Sequence, residues 1–327
     1  MRTAMSPEFW NHFGPDYTVN CRDWTHFPGN PILPPSGNGW RRRWTANPDF
    51  LTFQGRTLLY YRGNGALTGD PSEPEHDRMG MAVVDEIGPG VLRLGDPAGD
   101  RHVIDVGPAG TFDADNVLDP ASVVFQDRVW LYYSATATGF PDAVGLAVSD
   151  DGVHFQKIGA VIDGRAPEVV LGPDGVLRMI YQIAEPDGSY TLRLATSTDG
   201  RDFTPHPAGR IFARPPGEWD SFSLVTCRID IGSDGLYTMI YGGSSYLSDE
   251  PEYFGLARSK DMIEWETHPG NPIFGAGARG EPDGGAIWFP AILETESSYV
   301  MLYEGSRGKY SWDLHSQICM AWIDKKS

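Results

Sequence analysis

Four acidic side chains of this 327-residue sequence stand where an apolar segment begins. Asp119 precedes a proline, Asp49 and Glu168 each follow one, and Asp220 comes directly after a tryptophan. A carboxyl group that stays protonated near neutral pH can act as a general acid, and an ionised one can activate water. Two such groups form the catalytic apparatus of glycoside hydrolysis. The pattern therefore predicts acid–base chemistry if the fold brings these groups together.

The acidic residues belong to a repeated segment. Asn47–Tyr61 (NPDFLTFQGRTLLYY) and Asp119–Tyr133 (DPASVVFQDRVWLYY) align position for position without a gap. Each contains an apolar stretch, a short polar turn and a second apolar stretch that ends in two tyrosines. That pattern is typical of a β-hairpin. Three further hairpins of this kind follow at Ala166–Tyr181, Asp220–Tyr241 and Ile287–Tyr303.

Each hairpin is followed by at least one more apolar strand, so the unit recurs roughly every 50 to 70 residues. A single unit cannot bury both of its faces, and repeated four-stranded units stack around a central channel. The sequence therefore predicts an all-β fold, a five-bladed β-propeller that forms a single domain over residues 1–327. A β-sandwich with an appended domain is the alternative, but no break or linker interrupts the repeat.

The fifth unit reaches the last residue, Ser327, before an outermost strand. The segment Trp24–Leu33 (WTHFPGNPIL) resembles Trp265–Phe274 (WETHPGNPIF), which stands in the outermost position of the fourth unit. We therefore expect the N-terminal segment to complete the last blade and to cover two sheet edges that would otherwise invite aggregation. This closure places Cys21 and Cys319 in one blade, where a disulfide is possible, although we expect free thiols in a reducing compartment.

The predicted functional residues would meet at one mouth of the channel. The innermost strand starts, and its antiparallel partner ends, at the same rim of a blade, and residues two apart point to the same face. On this basis the carboxylates of the mouth are Asp49, Asp119, Glu168, Asp220 and Glu304, and the substrate-binding residues are Asn47, Arg62, Gln182, Trp219, Trp288 and Glu304. Clustered carboxylates and adjacent aromatic surface raise carboxyl pKa values, and tryptophan rings suit the apolar face of a sugar.

The composition limits the partners of such a site. A formal net charge of −18 at pH 7 argues against nucleic acids and anionic membranes, and it is compatible with a neutral oligosaccharide or glycoside. The N-terminus MRTAMSPEFW has no apolar signal-peptide core and no segment approaches a membrane span, so we expect a cytoplasmic location. The histidines and cysteines show no metal-ligand spacing, so no cofactor is expected. An ion in the channel remains open, and so does the oligomeric state.

Several short motifs carry a family resemblance: Asn30-Pro-Ile-Leu, Asn47-Pro, Leu59-Tyr-Tyr-Arg62, Asp119-Pro, Ala166-Pro-Glu168 and Trp288-Phe-Pro. They resemble motifs of the five-bladed β-propeller glycoside hydrolases, and most closely those of family 130, the mannoside phosphorylases and mannosidases. In that family the aspartate of an Asp-Pro-Arg motif is the proposed acid, a role that the resemblance carries over to Asp119. The layout is also similar to family 43, the arabinofuranosidases and xylosidases, which have an Asp-Pro in each of the first two blades and a glutamate in the third.

Three positions depart from these families. Ala121 stands where family 130 has the arginine of Asp-Pro-Arg, and Val169 stands where it has the lysine of Phe-Pro-Glu-Lys. A phosphorylase needs cations to bind phosphate, so the loss of both favours hydrolysis. Asn47 stands where family 43 has its catalytic-base aspartate, and an amide cannot take a proton. Another carboxylate, such as Asp49, would have to serve.

These observations predict an exo-acting, inverting glycosidase for mannosyl- or arabinosyl/xylosyl-type glycosides. Glu168 and Asp119 are the predicted acid and its partner, and Asp49 or Asp220 is the predicted base. A separation of about 6.5–9.5 Å between acid and base is typical of inversion, and about 5–5.5 Å of retention. The alternatives are a glycoside phosphorylase, which requires inorganic phosphate, and a non-catalytic carbohydrate-binding propeller, which forms no product.

Overall fold

The computed structural model describes residues 5–37, 39–68, 70, 72–95, 101–246, 249–309 and 314–326. Its strands form five antiparallel sheets, which follow one another along the chain and fan around a central channel. Each sheet is one blade, and the blades are numbered I to V. The prediction of an all-β, five-bladed β-propeller is confirmed.

The strands are numbered along the chain, beginning with β1 (Thr25–His26), and each blade is described from the channel outward. Blade I contains β2 (Trp44–Phe53), β3 (Arg56–Gly65), β4 (His76–Gly88) and β5 (Val91–Gly95), with β6 (His102–Ile104) also paired to β4. Blade II contains β7 (Asn116–Phe125), β8 (Arg128–Thr136), β9 (Ala143–Ser149) and β10 (Gln156–Asp163). Blade III contains β11 (Arg165–Leu171), β12 (Leu177–Ala184), β13 (Tyr190–Ser197) and β14 (Thr204–Ile211). Blade IV contains β15 (Ser223–Ile231), β16 (Tyr237–Ser244), β17 (Tyr253–Ser259) and β18 (Trp265–Thr267), with β19 (Phe274–Gly275) also paired to β17. Blade V contains β20 (Ala286–Glu294), β21 (Ser298–Ser306) and β22 (Ser316–Asp324), and a short 3-10 helix spans Gly39–Arg41 before blade I.

Strand β1 completes blade V. It pairs antiparallel with β22, with Thr25 opposite Trp322 and His26 opposite Ala321. The order of strands in this sheet is therefore β20, β21, β22 and β1. The predicted closure by the N-terminal segment is confirmed. Cys21 precedes β1 and its Sγ donates to Pro272 O of blade IV at 3.3 Å, so the closure does not place it in the sheet with Cys319, and both are free thiols.

Two short helices precede this strand, α1 (Pro7–His12) and α2 (Tyr17–Asp23). The aromatic rings of Phe9 and Phe13 are buried among side chains of blades IV and V, including Tyr299. The N-terminal segment therefore packs against the last two blades before it enters the sheet. Within the described residues, no helix is long and apolar enough to cross a membrane.

Neighbouring blades are joined by tyrosine hydroxyl groups as well as by apolar packing. Tyr60 of blade I donates a hydrogen bond to Gly152 O of blade II at 2.8 Å. Tyr132 of blade II donates to Gly200 O of blade III at 2.8 Å. Buried apolar side chains between blades II and III form one continuous cluster. The core is therefore a set of layers between sheets, and the axis remains available for polar side chains.

Every innermost strand contains the same irregularity. Its pairing with the second strand skips a position, and one residue there has a left-handed backbone: Asn47 (φ 50°), Asp119 (φ 55°), Ala166 (φ 45°), Thr226 (φ 45°) and Phe289 (φ 48°). We call these five the bulge residues. A left-handed backbone is uncommon outside glycine and costs energy, and a bulge turns a side chain toward a new direction. Residues two apart at this point therefore do not share one face, contrary to the prediction from simple alternation.

Candidate active site

The five bulge residues surround a pocket of about 200 Å³ at one mouth of the channel, which we call the mouth pocket. It also includes Arg62, Gln182 and Glu304, each of which directly follows the last tyrosine of a second strand. First strands and second strands therefore meet at one rim, as expected. Of the residues predicted from sequence, the structure brings together Asn47, Arg62, Asp119, Gln182, Trp288 and Glu304. Their roles in catalysis or binding remain predictions.

Glu304 is a buried carboxyl group at the junction of blades V and I. The residue is 5% exposed, and its Oε2 accepts a hydrogen bond from Asn47 Nδ2 at 2.9 Å. Burial raises the pKa of Glu304 to about 7; the nearby charge of Asp119 acts in the same direction, and Arg62 opposes both. Glu304 can therefore hold a proton at neutral pH and donate it.

Asp119 lies in the same pocket, on blade II, and is 2% exposed. Its Oδ2 accepts a hydrogen bond from Ser134 Oγ at 2.7 Å. Ser134 Oγ in turn accepts a hydrogen bond from the backbone N–H of Ala166 at 2.6 Å, so the hydroxyl proton of Ser134 is directed to Asp119. Aspartate tolerates the left-handed backbone better than most residues do. The carboxylate is therefore held in the mouth pocket in one orientation.

Sequence reasoning misses two acidic residues of the mouth pocket, Asp249 and Glu250, which lie between β16 and β17. Burial raises the pKa of Asp249 to about 6, opposed by Arg165 and assisted by the charges of Asp119 and Glu250. Arg165 Nη2 lies 3.7 Å from Asp249 Oδ2, and the Asp249 side chain is still 36% exposed, so solvent moderates these effects. The sequence contains a signal for these two residues, because their loop follows the second strand of blade IV and therefore starts at the rim.

The mouth pocket also contains polar atoms that have no partner within the described part of the chain. They are Asn47 Oδ1, Gln182 Nε2 and Arg62 Nε, and Asn47 and Gln182 are each 1% exposed. A buried polar atom without a partner costs free energy, so a ligand whose hydroxyl groups pair with these atoms gains affinity. Two tryptophans flank them, Trp288 and Trp44, of which sequence reasoning misses the second.

The partners of the pocket carboxylates are protein side chains. They pair as Asp119 with Ser134, Glu304 with Asn47, and Asp249 with Arg165. Within the described ranges, no group of three or more His, Cys, Asp or Glu side chains is placed to hold a metal ion.

Asp49 and Glu168 lie outside the mouth pocket, which corrects their predicted placement. Both are 1% exposed. Glu168 accepts hydrogen bonds from Arg228 Nη1 at 3.2 Å and from Ile229 N at 3.0 Å. Asp49 accepts from Ser122 N at 2.7 Å and from Ser122 Oγ at 2.6 Å, and it borders a separate small cavity. The bulge explains this placement. It turns the bulge residue toward the mouth, so the residue two positions later lies deeper in the channel, where Asp49 and Glu168 link neighbouring blades.

Asp220 and Trp219 also lie outside the mouth pocket. Asp220 precedes the bulge residue of its blade by six positions, and it accepts hydrogen bonds from Tyr241 Oη at 2.7 Å and Arg214 Nε at 2.7 Å. Trp219 stacks on the same tyrosine, with ring centroids 5.7 Å apart. Blades II and V contain the same contact, formed by Asp113 with Tyr133 and by Asp283 with Tyr303. Asp220 therefore belongs to a repeated structural anchor, which corrects its predicted placement at the mouth.

A Glu168→Gln substitution should destabilise the fold while leaving the acid–base groups of the mouth pocket in place. Loss of one member of a buried ion pair typically costs about 3–5 kcal/mol. Asp49 Oδ1 lies 3.7 Å from Arg228 Nε and would retain part of the pairing, so we expect the free energy of unfolding to fall by about 3 kcal/mol in urea denaturation. The control Glu185→Gln removes a half-buried partner of Arg193 and should cost less than about 1 kcal/mol. Equally small effects of both substitutions would contradict a structural role for Glu168.

No protein-family model and no curated protein sequence matches this chain. Among solved structures, an N-acetylgalactosamine deacetylase from F. plautii in complex with blood group B trisaccharide has a TM-score of 0.70 and 14% identity, over 92% of this chain and 96% of that chain. The β-1,2-mannobiose phosphorylase from Listeria innocua in complex with β-1,2-mannobiose has a TM-score of 0.69 and 13% identity, over 92% and 96%. A third structure represents the GH130 family of mannoside phosphorylases, which contains glycoside hydrolases that target β-1,2 mannosidic linkages in Candida mannan; it has a TM-score of 0.67 and 15% identity, over 93% and 94%. At these identities the similarity establishes the shared fold, and the resemblance to five-bladed propellers of glycoside hydrolases and GH130 phosphorylases is confirmed at that level.

Proposed function

We propose that this protein is a glycoside hydrolase that cleaves a neutral glycoside with two carboxyl groups of the mouth pocket. The observation that carries the proposal is that Glu304, whose pKa is raised to about 7, and Asp119 meet in one pocket beside unpaired polar atoms and tryptophan rings. A group that holds a proton at neutral pH next to a second carboxyl group is the combination that glycoside hydrolysis requires. The similar solved structures bear the names of proteins that act on carbohydrates, which supports the same class of substrate.

In the proposed reaction Glu304 donates its proton to the glycosidic oxygen as the bond to the anomeric carbon breaks. Asp119 takes a proton from a water molecule, whose oxygen forms the new bond from the opposite face of the sugar. The products are a free sugar of inverted configuration and the released alcohol, and proton exchange with solvent resets both carboxyl groups. Asp249 and Arg165 stand at the edge of the pocket, where they are suited to bind a sugar hydroxyl.

Action at the end of a glycan chain is favoured by the closed lower side of the pocket. Arg228 lies beneath it and donates hydrogen bonds to Pro48 O at 2.9 Å and Pro120 O at 3.3 Å. Farther along the channel, Met5 N donates to Asp230 Oδ2 at 3.3 Å, and Met5 lines the small cavity beside Arg228. A substrate therefore approaches the carboxyl groups from the mouth, and a pocket of about 200 Å³ suits one terminal sugar residue.

Hydrolysis is favoured over phosphorolysis by the charge of the mouth pocket. Its acidic residues are Asp119, Asp249, Glu250 and Glu304, and its cations are Arg62 and Arg165. Arg62 Nη2 already pairs with Asp77 Oδ2 at 2.8 Å. An excess of acidic groups repels a phosphate anion but not a water molecule. Ala121 and Val169, which replace cationic residues of family 130, are buried in the apolar cluster between blades II and III.

The test is a panel of aryl glycosides and of mannosyl, arabinosyl and xylosyl oligosaccharides, assayed with and without inorganic phosphate at constant ionic strength. We expect release of reducing sugar from the chain end at a rate that does not depend on phosphate. Proton NMR of the first product formed should show the anomer opposite to that of the substrate. A product of retained configuration would overturn the inverting mechanism.

The alternatives give different results in the same panel. Turnover that requires phosphate and yields a sugar 1-phosphate would identify a phosphorylase. Oligosaccharide binding in calorimetry with no product after days of incubation would identify a non-catalytic binding propeller. Either result would replace the proposal of a hydrolase.

A further inference from the structure

Arg228 is a buried cation that contacts all four of the other blades. It lies on β15 of blade IV, and its side chain is 6% exposed. Its Nη2 donates hydrogen bonds to Pro48 O of blade I at 2.9 Å and to Pro120 O of blade II at 3.3 Å. Its Nη1 donates to Glu168 Oε2 of blade III at 3.2 Å, and its guanidinium carbon lies 5.3 Å from the ring centroid of Phe289 in blade V. One side chain thus ties the five innermost strands together beneath the mouth pocket.

The two carbonyl groups bound by Arg228 belong to the prolines that directly follow Asn47 and Asp119. Both of these pocket residues have the left-handed backbone of the bulge. A proline ring already fixes φ, so a hydrogen bond to the proline carbonyl restrains its remaining soft dihedral. The bulge is thereby held from its C-terminal side. The bulge sets the direction of the side chain of the residue that precedes the proline. The same guanidinium therefore restrains the direction of two pocket side chains, those of Asn47 and Asp119.

Arg228 also neutralises charge. Its guanidinium faces Glu168, and its Nε lies 3.7 Å from Asp49 Oδ1. Any side chain with one positive charge could neutralise these carboxylates. The contacts to two carbonyl groups and a carboxylate need more, because they use the planar set of N–H donors that a guanidinium provides and an ammonium group lacks. The two roles can therefore be separated by substitution.

We propose that Arg228 is a positioning residue whose guanidinium holds the bulges of blades I and II and so directs Asn47 and Asp119 into the mouth pocket. The consequence for catalysis rests on the proposed function, while the consequence for the backbone does not. A reacting group displaced by about 1 Å commonly costs about 100-fold in rate. Loss of the guanidinium should therefore reduce turnover although Arg228 itself does not line the mouth pocket.

The first experiment compares Arg228→Lys with the wild type by hydrogen–deuterium exchange and by kinetics, well below the melting temperature of each protein. Lysine keeps the charge that faces Glu168 but cannot reach both proline carbonyls. We expect faster amide exchange in β2 and β7 with unchanged exchange in the outer strands of the blades. We also expect a fall in kcat of about 100-fold, from the displaced Asp119, with a smaller rise in KM, from the displaced Asn47. The control Arg178→Lys alters a blade III arginine paired with Asp174 and should change neither quantity.

The second variant is Glu168→Gln, which leaves the contacts of Arg228 to Pro48 and Pro120 in place. It should lower the melting temperature but keep wild-type kcat and wild-type exchange in β2 and β7. If Arg228→Lys does not fold, the double variant Arg228→Gln, Glu168→Gln removes both charges together and should show the same increase in exchange. Unchanged exchange in β2 and β7 of the arginine variant, or an equal loss of kcat in Glu168→Gln, would overturn the positioning role.

The two proposals fail in different ways. If the wild type turns over none of the glycosides, the proposed function fails, but exchange in β2 and β7 still decides whether Arg228 holds the bulges. If the wild type is active and Arg228→Lys keeps its full kcat, the positioning role fails and the proposed function stands.

Discussion

An Asp119→Asn variant is expected to fold like the wild type and to lose glycosidase activity by about a thousand-fold. Asparagine has the same shape, is among the few residues that tolerate the left-handed backbone at φ 55°, and can still accept the hydrogen bond from Ser134 Oγ. It cannot take a proton from water. The substitution therefore removes the base and leaves the pocket otherwise intact.

The measurement is kcat on the best substrate of the panel, with the melting temperature determined in parallel. The matched control is Asp220→Asn, which removes a buried carboxylate that pairs with Arg214 outside the mouth pocket. It should lower the melting temperature and keep kcat within about threefold, because Asp220 contacts no pocket group. Activity of Asp119→Asn above about a tenth of the wild-type value would exclude Asp119 as the base.

A Glu304→Gln variant is expected to lose turnover of substrates with poor leaving groups by about a hundred-fold or more, because no acid protonates the departing oxygen. Aryl glycosides with acidic leaving groups should be affected much less. In the wild type, kcat/KM should fall as pH rises through about 7, the pKa to which burial raises Glu304 in the free protein. The variant should lack this alkaline limb. An alkaline limb that persists in Glu304→Gln would show that another group is the acid.

The same substitution should change how stability depends on pH. The pKa of Glu304 rises from 4.5 to about 7 on folding, so the stability linked to its bound proton is fully present below about pH 4.5. It is lost as pH rises through about 7, and the loss amounts to about 3 kcal/mol. Glutamine carries no such charge. We therefore expect Glu304→Gln to gain stability relative to the wild type between pH 4.5 and pH 8.

Urea denaturation at pH 5 and at pH 8 measures this effect. The difference in the free energy of unfolding between Glu304→Gln and the wild type should be larger at pH 8, in favour of the variant. Glu266→Gln is the control, because the Glu266 side chain is 63% exposed and pairs only at the surface with Arg258. A pH-independent difference for Glu304→Gln would contradict a raised pKa in the folded protein.

The repeated hairpins, the five blades and the closure by the N-terminal segment could all be predicted from the sequence. Alternating apolar residues and short polar turns specify strands locally, so aligning Asn47–Tyr61 with Asp119–Tyr133 is enough to count units. The likeness of Trp24–Leu33 to Trp265–Phe274 correctly identified the outermost strand of blade V. Residues at the ends of second strands, such as Glu304, were also placed correctly at the mouth, because antiparallel pairing alone brings them there.

The tertiary structure alone decided which acidic residues face the pocket. The left-handed bulge occurs at the same place in all five innermost strands although its residues are as different as Asp119, Ala166 and Phe289. The type of the bulge residue therefore does not encode it. A proline follows in four of the five strands but not after Thr226, so we attribute the bulge to the convergence of five strands on one axis. The bulge turns Asp119 toward the mouth and leaves Glu168 with Arg228 beneath it. The local pattern of apolar and polar residues predicts where strands and turns lie. The direction of a side chain beside the channel axis depends instead on contacts between blades that are distant in the chain.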